Sequence, residues 1–425
     1  MKKFSLWIGV LISCLVWSCK EEKKSSIEPK KTNLIIAELS KSELSDKIKG
    51  LLVGSAIGDA MGAPTEMWAR EDIQKTYGWI TGLDSMVREV SPEGIWKANL
   101  PAGGTTDDTR WKSLLVDYMV GENSLKLDAQ SFSKHIIKDY EQYFDAIKPL
   151  KPEQTLALES VNLKVLWLQE WYKVSLSYQS NNLRDYHKAL GKFYGGEMVC
   201  AGLLYSPAIG LMFPGQPEEA YKQAFELSIF DLGLAKDISS LSAAMTAAAM
   251  TASGDQNQVL NVLREVDPEG YFSSRLVGRS SYRVLELARS IVLEAKDSST
   301  IANTTSDGSV IPEDSILRAY KLLDQKQQDM PFHAAEIHLQ VLTAMLFSDF
   351  KFTETLVFLT NYGRDNDTTA AIAGAILGAF HGYENLPKDM REKVIAVNKT
   401  HLDIDLEKMS DKHFQNIQSL YIWPD

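Results

Sequence analysis

The chain has 425 residues, 44% of them hydrophobic, and a formal net charge of −11. Such acidity argues against a nucleic-acid partner, because phosphate recognition needs a basic footprint, while the length is ample for a large packed core. Of three cysteines, Cys14 and Cys19 lie near the start and only Cys200 lies further on, so no intramolecular disulfide is expected to staple the folded domain.

In chain order, Met1, Lys2 and Lys3 form a positive segment before the apolar run "LWIGVLISCLVW". The run is too short for a stable membrane anchor and reads as a secretory signal over residues 1–18. It ends in "VWSC", which resembles the lipobox of bacterial lipoproteins and makes Cys19 the expected lipidated N-terminus. Cleavage before Cys14 would leave the apolar "LVW" exposed just after the cut. Residues 19–41, rich in Lys, Glu and Ser without periodicity, are the expected flexible tether. The expected location is therefore outside the cytoplasm, lipid-anchored at the outer membrane or cell surface on the periplasmic or extracellular face.

From residue 42 to 425 the hydrophobic pattern is helical nearly throughout, and the expected fold is one all-α domain. Residues 46–62 carry Gly50, Gly54 and Gly58 at four-residue spacing, and residues 369–382 repeat the device with Gly374, Gly378 and Gly382. Each helical glycine costs about 1 kcal/mol relative to alanine, so both stripes predict a face where another backbone comes very close. Further helices are expected at 109–120, 128–145, 154–175, 217–229, 236–252, 256–265, 280–296, 313–325, 333–347 and 352–361. The alanine-rich segment after Lys236 has small residues on several faces, as suits a helix at the centre of the domain. A surface loop is expected at 296–315.

The acids define the chemistry. "TTDDT" (105–109) and "DNDTT" (365–369) each open an apolar helix. Helix capping accounts for one acid at each place and leaves a second without a role. "GDAMGAPTE" adds Asp59 and Glu66. Antiparallel packing of the two glycine-striped helices would bring Asp59 and Glu66 beside Asp365 and Asp367. So many carboxylates repel one another at a cost of several kcal/mol unless cations sit among them. Oxygen-only donors suit Mg²⁺, Mn²⁺ or Ca²⁺, and bridging carboxylates suit a pair of such ions. A calcium-binding EF-hand counted from Asp365 fails, finding Ala370 and Ile376 where glycine and glutamate belong. Zinc is disfavoured: there is no H-E-x-x-H spacing, and His333 and His338 read as ordinary helix residues.

Together and in this order, "GLLVGSAIGDAMGAPTE", "GGTTDDT" and "GRDNDTTAAIAGAILGAFHG" resemble the three metal-binding motifs of the ADP-ribosylglycohydrolase family. The resemblance implies a compact orthogonal helical bundle around a binuclear centre of two divalent cations, Mg²⁺ first and Mn²⁺ as the alternative. Matched residue by residue, it makes Thr106, Asp107, Asp108, Asp365, Asp367 and Thr368 the metal ligands. Glu66, Asp107 and Asp108 become the catalytic acids, and Asp59 a structural one. The implied reaction is hydrolysis of an N- or O-glycosidic bond of ADP-ribose or a related ribosyl conjugate, small or protein-linked.

The substrate side departs from the pattern. Val199 follows Met198 where an arginine is common, and Phe230-Asp231 stand where a Thr-His pair is usual. Gly195, Gly196 and Glu197 remain candidate substrate contacts, with a plain turn as the other account. Trp167, Trp171 and Tyr172 read as core, and Trp68 and Trp96 as candidate pocket walls. Two rival functions stay open: a glycosidase for a nucleoside or sugar other than ADP-ribose, and a non-catalytic surface ligand-binding protein that keeps fold and ions.

Overall fold

The computed structural model describes residues 39–87, 99–252, 254–297 and 314–422. The signal, Cys19, nearly all of the tether, Trp96 and most of the 296–315 loop lie outside the described residues. The helices are α1 (Lys41–Gly62), α2 (Arg70–Tyr77), α3 (Asp107–Glu122), α4 (Ala129–Ile147), α5 (Thr155–Val165), α6 (Gln169–Gln179), α7 (Leu183–Leu190), α8 (Ser206–Ile209) and α9 (Pro217–Leu227). They continue as α10 (Leu234–Ala249), α11 (Gln256–Glu265), α12 (Ser280–Lys296), α13 (Asp314–Asp324), α14 (Ala334–Phe347), α15 (Phe352–Tyr362), α16 (Asn366–His381), α17 (Lys388–His401) and α18 (Leu406–Leu420). One short antiparallel pair, β1 (Met86–Val87) and β2 (Asn99–Leu100), sets Met86 opposite Leu100. The fold is all-α. Among the described residues, no helix is long and apolar enough to cross a membrane.

The α1/α16 pair is the spine. Ser40 and Glu43 close a reciprocal capping box, the Ser40 N–H donating to Glu43 Oε2 at 2.8 Å and the Glu43 N–H to Ser40 Oγ at 3.2 Å. Beyond it, Gly50 lies against Gly378, Gly54 against Gly374, Gly58 against Ala370 and Gly62 against Asp367. Ascending numbers on one helix meet descending numbers on the other, so the two run antiparallel with their backbones in contact. A Cβ on Gly54 would stand 2.5 Å from the Gly374 carbonyl oxygen, well inside van der Waals contact. Gly382, expected as a third member of its stripe, does something else: at φ 81° it ends α16, a position suited to glycine.

Around this spine the core is apolar and close-fitting. Helix α10 is buried along nearly its whole length, as its small residues predict. Lys47, on α1, sends its ammonium to the carbonyls of Ala249 (3.3 Å), Ala379 (3.0 Å) and Phe380 (2.9 Å), satisfying the C-terminal ends of α10 and α16 together. The helix expected over 154–175 is broken by a 3₁₀ turn at Leu166–Leu168. The break turns Trp167 and Trp171 onto Trp111, with ring centroids 5.1 and 5.0 Å apart. Helices α2, α7 and α17 escape the sequence reading because each buries only a narrow stripe or none, such as Met390, Val394 and Asn398 on α17. Helix α18 escapes it too, although it buries Leu406, Met409, His413, Ile417 and Leu420 along one face.

Candidate metal centre

Three chain segments converge where the C-terminal end of α1 meets the N-terminal ends of α16 and α3. The first is held by Asp59. Its carboxylate accepts the Thr106 N–H (2.8 Å), the Thr109 N–H (3.0 Å) and the Thr109 hydroxyl (2.6 Å), pinning the start of α3 to α1. Asp59 is fully buried, and burial, then the neighbouring charge of Asp108, push its carboxyl up to about 7. Among the described residues its side-chain hydrogen bonds all go to the start of α3, a structural role. Asp59→Ala strands three buried donors, and a loss of about 3 kcal/mol in unfolding free energy is expected by chemical denaturation. A change under about 0.5 kcal/mol would refute that role.

Thr106 caps α3, and its hydroxyl donates to Asp367 Oδ2 at 3.1 Å. Reciprocally, the Thr368 hydroxyl, in the first turn of α16, donates to Asp108 Oδ2 at 3.0 Å. These crossed bonds join the two Thr-Asp segments, 260 residues apart in sequence, into one site. Behind them, Asn398 on α17 bonds Thr105 and the Gly103 carbonyl, fixing the loop that leads into α3. Nothing in the sequence marks Asn398 for that task.

Glu66 follows the 3₁₀ turn Ala63–Thr65 at the end of α1. The next residue donates its N–H to the Arg364 carbonyl (2.7 Å), and the Arg364 N–H donates to the Trp68 carbonyl (3.1 Å). Met67 and Arg364 both have positive φ, 64° and 63°, an arrangement costing about 1–3 kcal/mol each and commonly kept at functional sites. Arg364 is clamped bidentately by the buried Glu336, at 2.8 and 2.9 Å. Asn366 ties α16 to Thr65 at 2.8 Å. Together these contacts bring ligand oxygens of Glu66, Asp365 and Asp367 within 4.8 Å of one another.

Electrostatically the cluster asks for cations. Burial, then the charge of Glu66, hold Asp365 and Asp367 well above the usual carboxylate range. Asp107, which solvent still reaches, is raised to about 8 by burial and then by Asp108. Asp367 Oδ1 is buried without a hydrogen-bond partner. An orphaned oxygen amid an all-oxygen set fits a hard divalent ion, with Glu66, Asp365 and Asp367 the residues that can hold one.

The centre forms the floor of a small cleft lined by Glu66, Asp107, Asp365, Asp367 and Thr368. Facing them is an apolar wall of Trp171, Tyr194, Val199, Cys200, Leu204 and Phe332. Gly195, Gly196 and Glu197 are exposed, and among the described residues it is their neighbours Tyr194 and Val199 that line the cleft. The two glycines, at φ 73° and 90°, make the turn that presents those neighbours. Trp171 serves both core and cleft, whereas Tyr172 stacks on Tyr140 at 4.0 Å. Trp68 lies against Tyr77 and lines an adjoining cleft instead. Phe230 is core, and Asp231 accepts the Gly202 N–H at 2.7 Å. His333 caps α14, and His338 is buried, its pKa lowered to about 4 by burial.

A family model described as ADP-ribosylglycohydrolase matches residues 40–420. The chain belongs to the ADP-ribosylglycohydrolase family. Among curated proteins it is similar to the uncharacterized protein YegU of Escherichia coli K12, 23% identical over 372 residues, covering 84% of this chain and 93% of that protein. Among solved structures it is similar to an "ADP-ribosylglycohydrolase-related protein complex", with a TM-score of 0.55 and 15% identity, covering 89% of this chain and 99% of the other. At that identity the likeness speaks for the fold. Membership of the family supports a glycohydrolase type of function.

Proposed function

We propose that this family member is a metal-dependent hydrolase cleaving an N- or O-glycosidic bond of ADP-ribose or a related ribosyl conjugate. The observation that carries the reading is the crossed pair of bonds, Thr106 to Asp367 and Thr368 to Asp108, which makes one acidic floor from two distant segments. A bound divalent ion would supply orientation of sugar hydroxyls and acidification of a water. The chain's own part is separate. The carboxylates of Glu66 and Asp107 face the cleft, where they stabilise positive charge building on the sugar ring as the bond breaks. Either can take the proton of an attacking water or pass one to the leaving group. The apolar wall excludes bulk water and offers ring faces to the sugar or its substituent.

A glycosidase for a nucleoside or sugar without a diphosphate is the second reading, favoured by the lining of the cleft: among the described residues it includes no lysine or arginine. Hydrolysis of ribosyl conjugates with and without a diphosphate, assayed with Mg²⁺ or Mn²⁺ and again after chelation, separates the two. The expected result is turnover of at least one class, lost by more than about 100-fold on chelation. Undiminished turnover in chelator, or none on any ribosyl conjugate with metal present, counts against the proposal.

A further inference from the structure

Both side-chain oxygens of Asp108 are already engaged. Oδ2 accepts the Thr368 hydroxyl at 3.0 Å, and Oδ1 accepts the ammonium of Lys112 at 3.2 Å. Lys112 stands one turn further along α3, and a helical side chain leans back toward the N-terminus, which carries its ammonium to residue i−4. Both side chains of the pair are only 2% exposed. Asp367, by contrast, keeps its buried Oδ1 without a partner, and the ligand oxygens that converge are those of Glu66, Asp365 and Asp367.

We propose that Lys112 is a built-in counter-cation that makes the two expected cation positions unequal: one divalent ion held tightly at Glu66, Asp365 and Asp367, and a second, toward Asp107 and Asp108, held weakly. The inference rests on the metal-centre reading above. The ammonium neutralises Asp108 as a metal ion would, but it has no open coordination position and accepts no ligand. A second ion that recruits Asp108 competes with the Lys112 ammonium for the same carboxylate, and displacing it would leave a buried ammonium without its partner, which is costly. Even short of displacement, a fixed positive charge beside Asp108 opposes a dication approaching that side, and burial removes the solvent screening that would soften the opposition.

Mn²⁺ titration of the full, metal-stripped protein by calorimetry, with electron paramagnetic resonance to detect coupling between two nearby ions, tests this. In the wild type one ion is expected to bind tightly and a second at least about tenfold more weakly. Lys112→Met, similar in length without the charge, is expected to tighten the second ion by about tenfold or more and to produce an exchange-coupled signal. Lys112→Arg should keep the wild-type pattern. The double variant Lys112→Met/Asp108→Asn removes the pair as a unit and should keep the tight ion while losing the second, a check that stands if Lys112→Met alone does not fold. Two ions of equal affinity in the wild type, an unchanged ratio in folded Lys112→Met, or loss of the tight ion in the folded double variant overturns the proposal. A wild type that binds no Mn²⁺ overturns the metal centre itself, and with it the role of Lys112.

Discussion

Asp367→Asn is expected to abolish hydrolysis, remove the thermal shift that Mn²⁺ produces, and make the metal-stripped protein more stable. The three effects share one cause. Asp367 sits 2% exposed among Glu66, Asp365 and Asp108, accepts a single hydrogen bond from Thr106 and leaves Oδ1 without one. Without an ion its carboxyl is a liability at neutral pH, whether it carries its charge or takes up a proton that the unfolded chain would not bind. Asparagine keeps the shape and an acceptor for Thr106 while removing the charge, a gain of about 1–3 kcal/mol for the metal-free fold. The sign follows from the raised pKa: the protonated carboxyl favours the fold below the ordinary carboxylate range, and that contribution is lost as pH rises above it. The advantage of the amide over the acid at this position therefore grows with pH. With metal present the order reverses, because the wild type gains binding energy that the variant cannot. Activity should fall by about 1,000-fold or more. Melting curves with chelator and with Mn²⁺, beside a hydrolysis assay, read all three. A variant that melts lower in chelator and still gains stability from Mn²⁺ would show that Asp367 is no ligand.

Gly374→Ala carries the second large effect, and Gly121→Ala is its control within the same molecule. Both place one methyl group on a helix. At Gly374 that methyl enters the backbone of Gly54 on α1, with the Gly54 carbonyl oxygen and carbon both nearer than any real side-chain contact. Neither neighbour is a flexible side-chain end, so the helices must part. The expected cost is about 3 kcal/mol or more. Because the α1/α16 contact brings Glu66 to Asp365 and Asp367, the metal-induced thermal shift should shrink with it. Gly121, exposed near the end of α3, has nothing within 4 Å of a Cβ, and alanine there should be neutral or stabilising by up to about 1 kcal/mol. Equal effects at the two positions would mean that the glycine stripe is not a close backbone contact.

Part of the centre was legible in the chain because its logic is local. Two acids at a helix start exceed what capping can use, and a glycine every fourth residue marks one face of a helix. From those rules the surplus acids of "TTDDT" and "DNDTT" could be singled out and the antiparallel spine anticipated, while the full set Thr106, Asp107, Asp108, Asp365, Asp367 and Thr368 came from the family resemblance. Other members leave no such mark. Asn398 lies 295 residues from the Gly103 carbonyl it holds. The Glu336 clamp on Arg364 spans 28 residues, and nothing in the spacing of Glu336 marks it as the partner of Arg364.

By itself, then, the sequence determined the all-α class, the small-residue spine and the excess of acid at two helix starts, all of which follow from periodicity and from the chemistry of single turns. Tertiary structure decided which surface faces the acids. It put Tyr194 and Val199 on the wall in place of Gly195, Gly196 and Glu197, and it left an oxygen of Asp367 buried without a partner. The physical reason is that a periodicity states only that a residue is buried. Which charge it is buried against depends on contacts between segments hundreds of residues apart, and these exist only once the helices have packed.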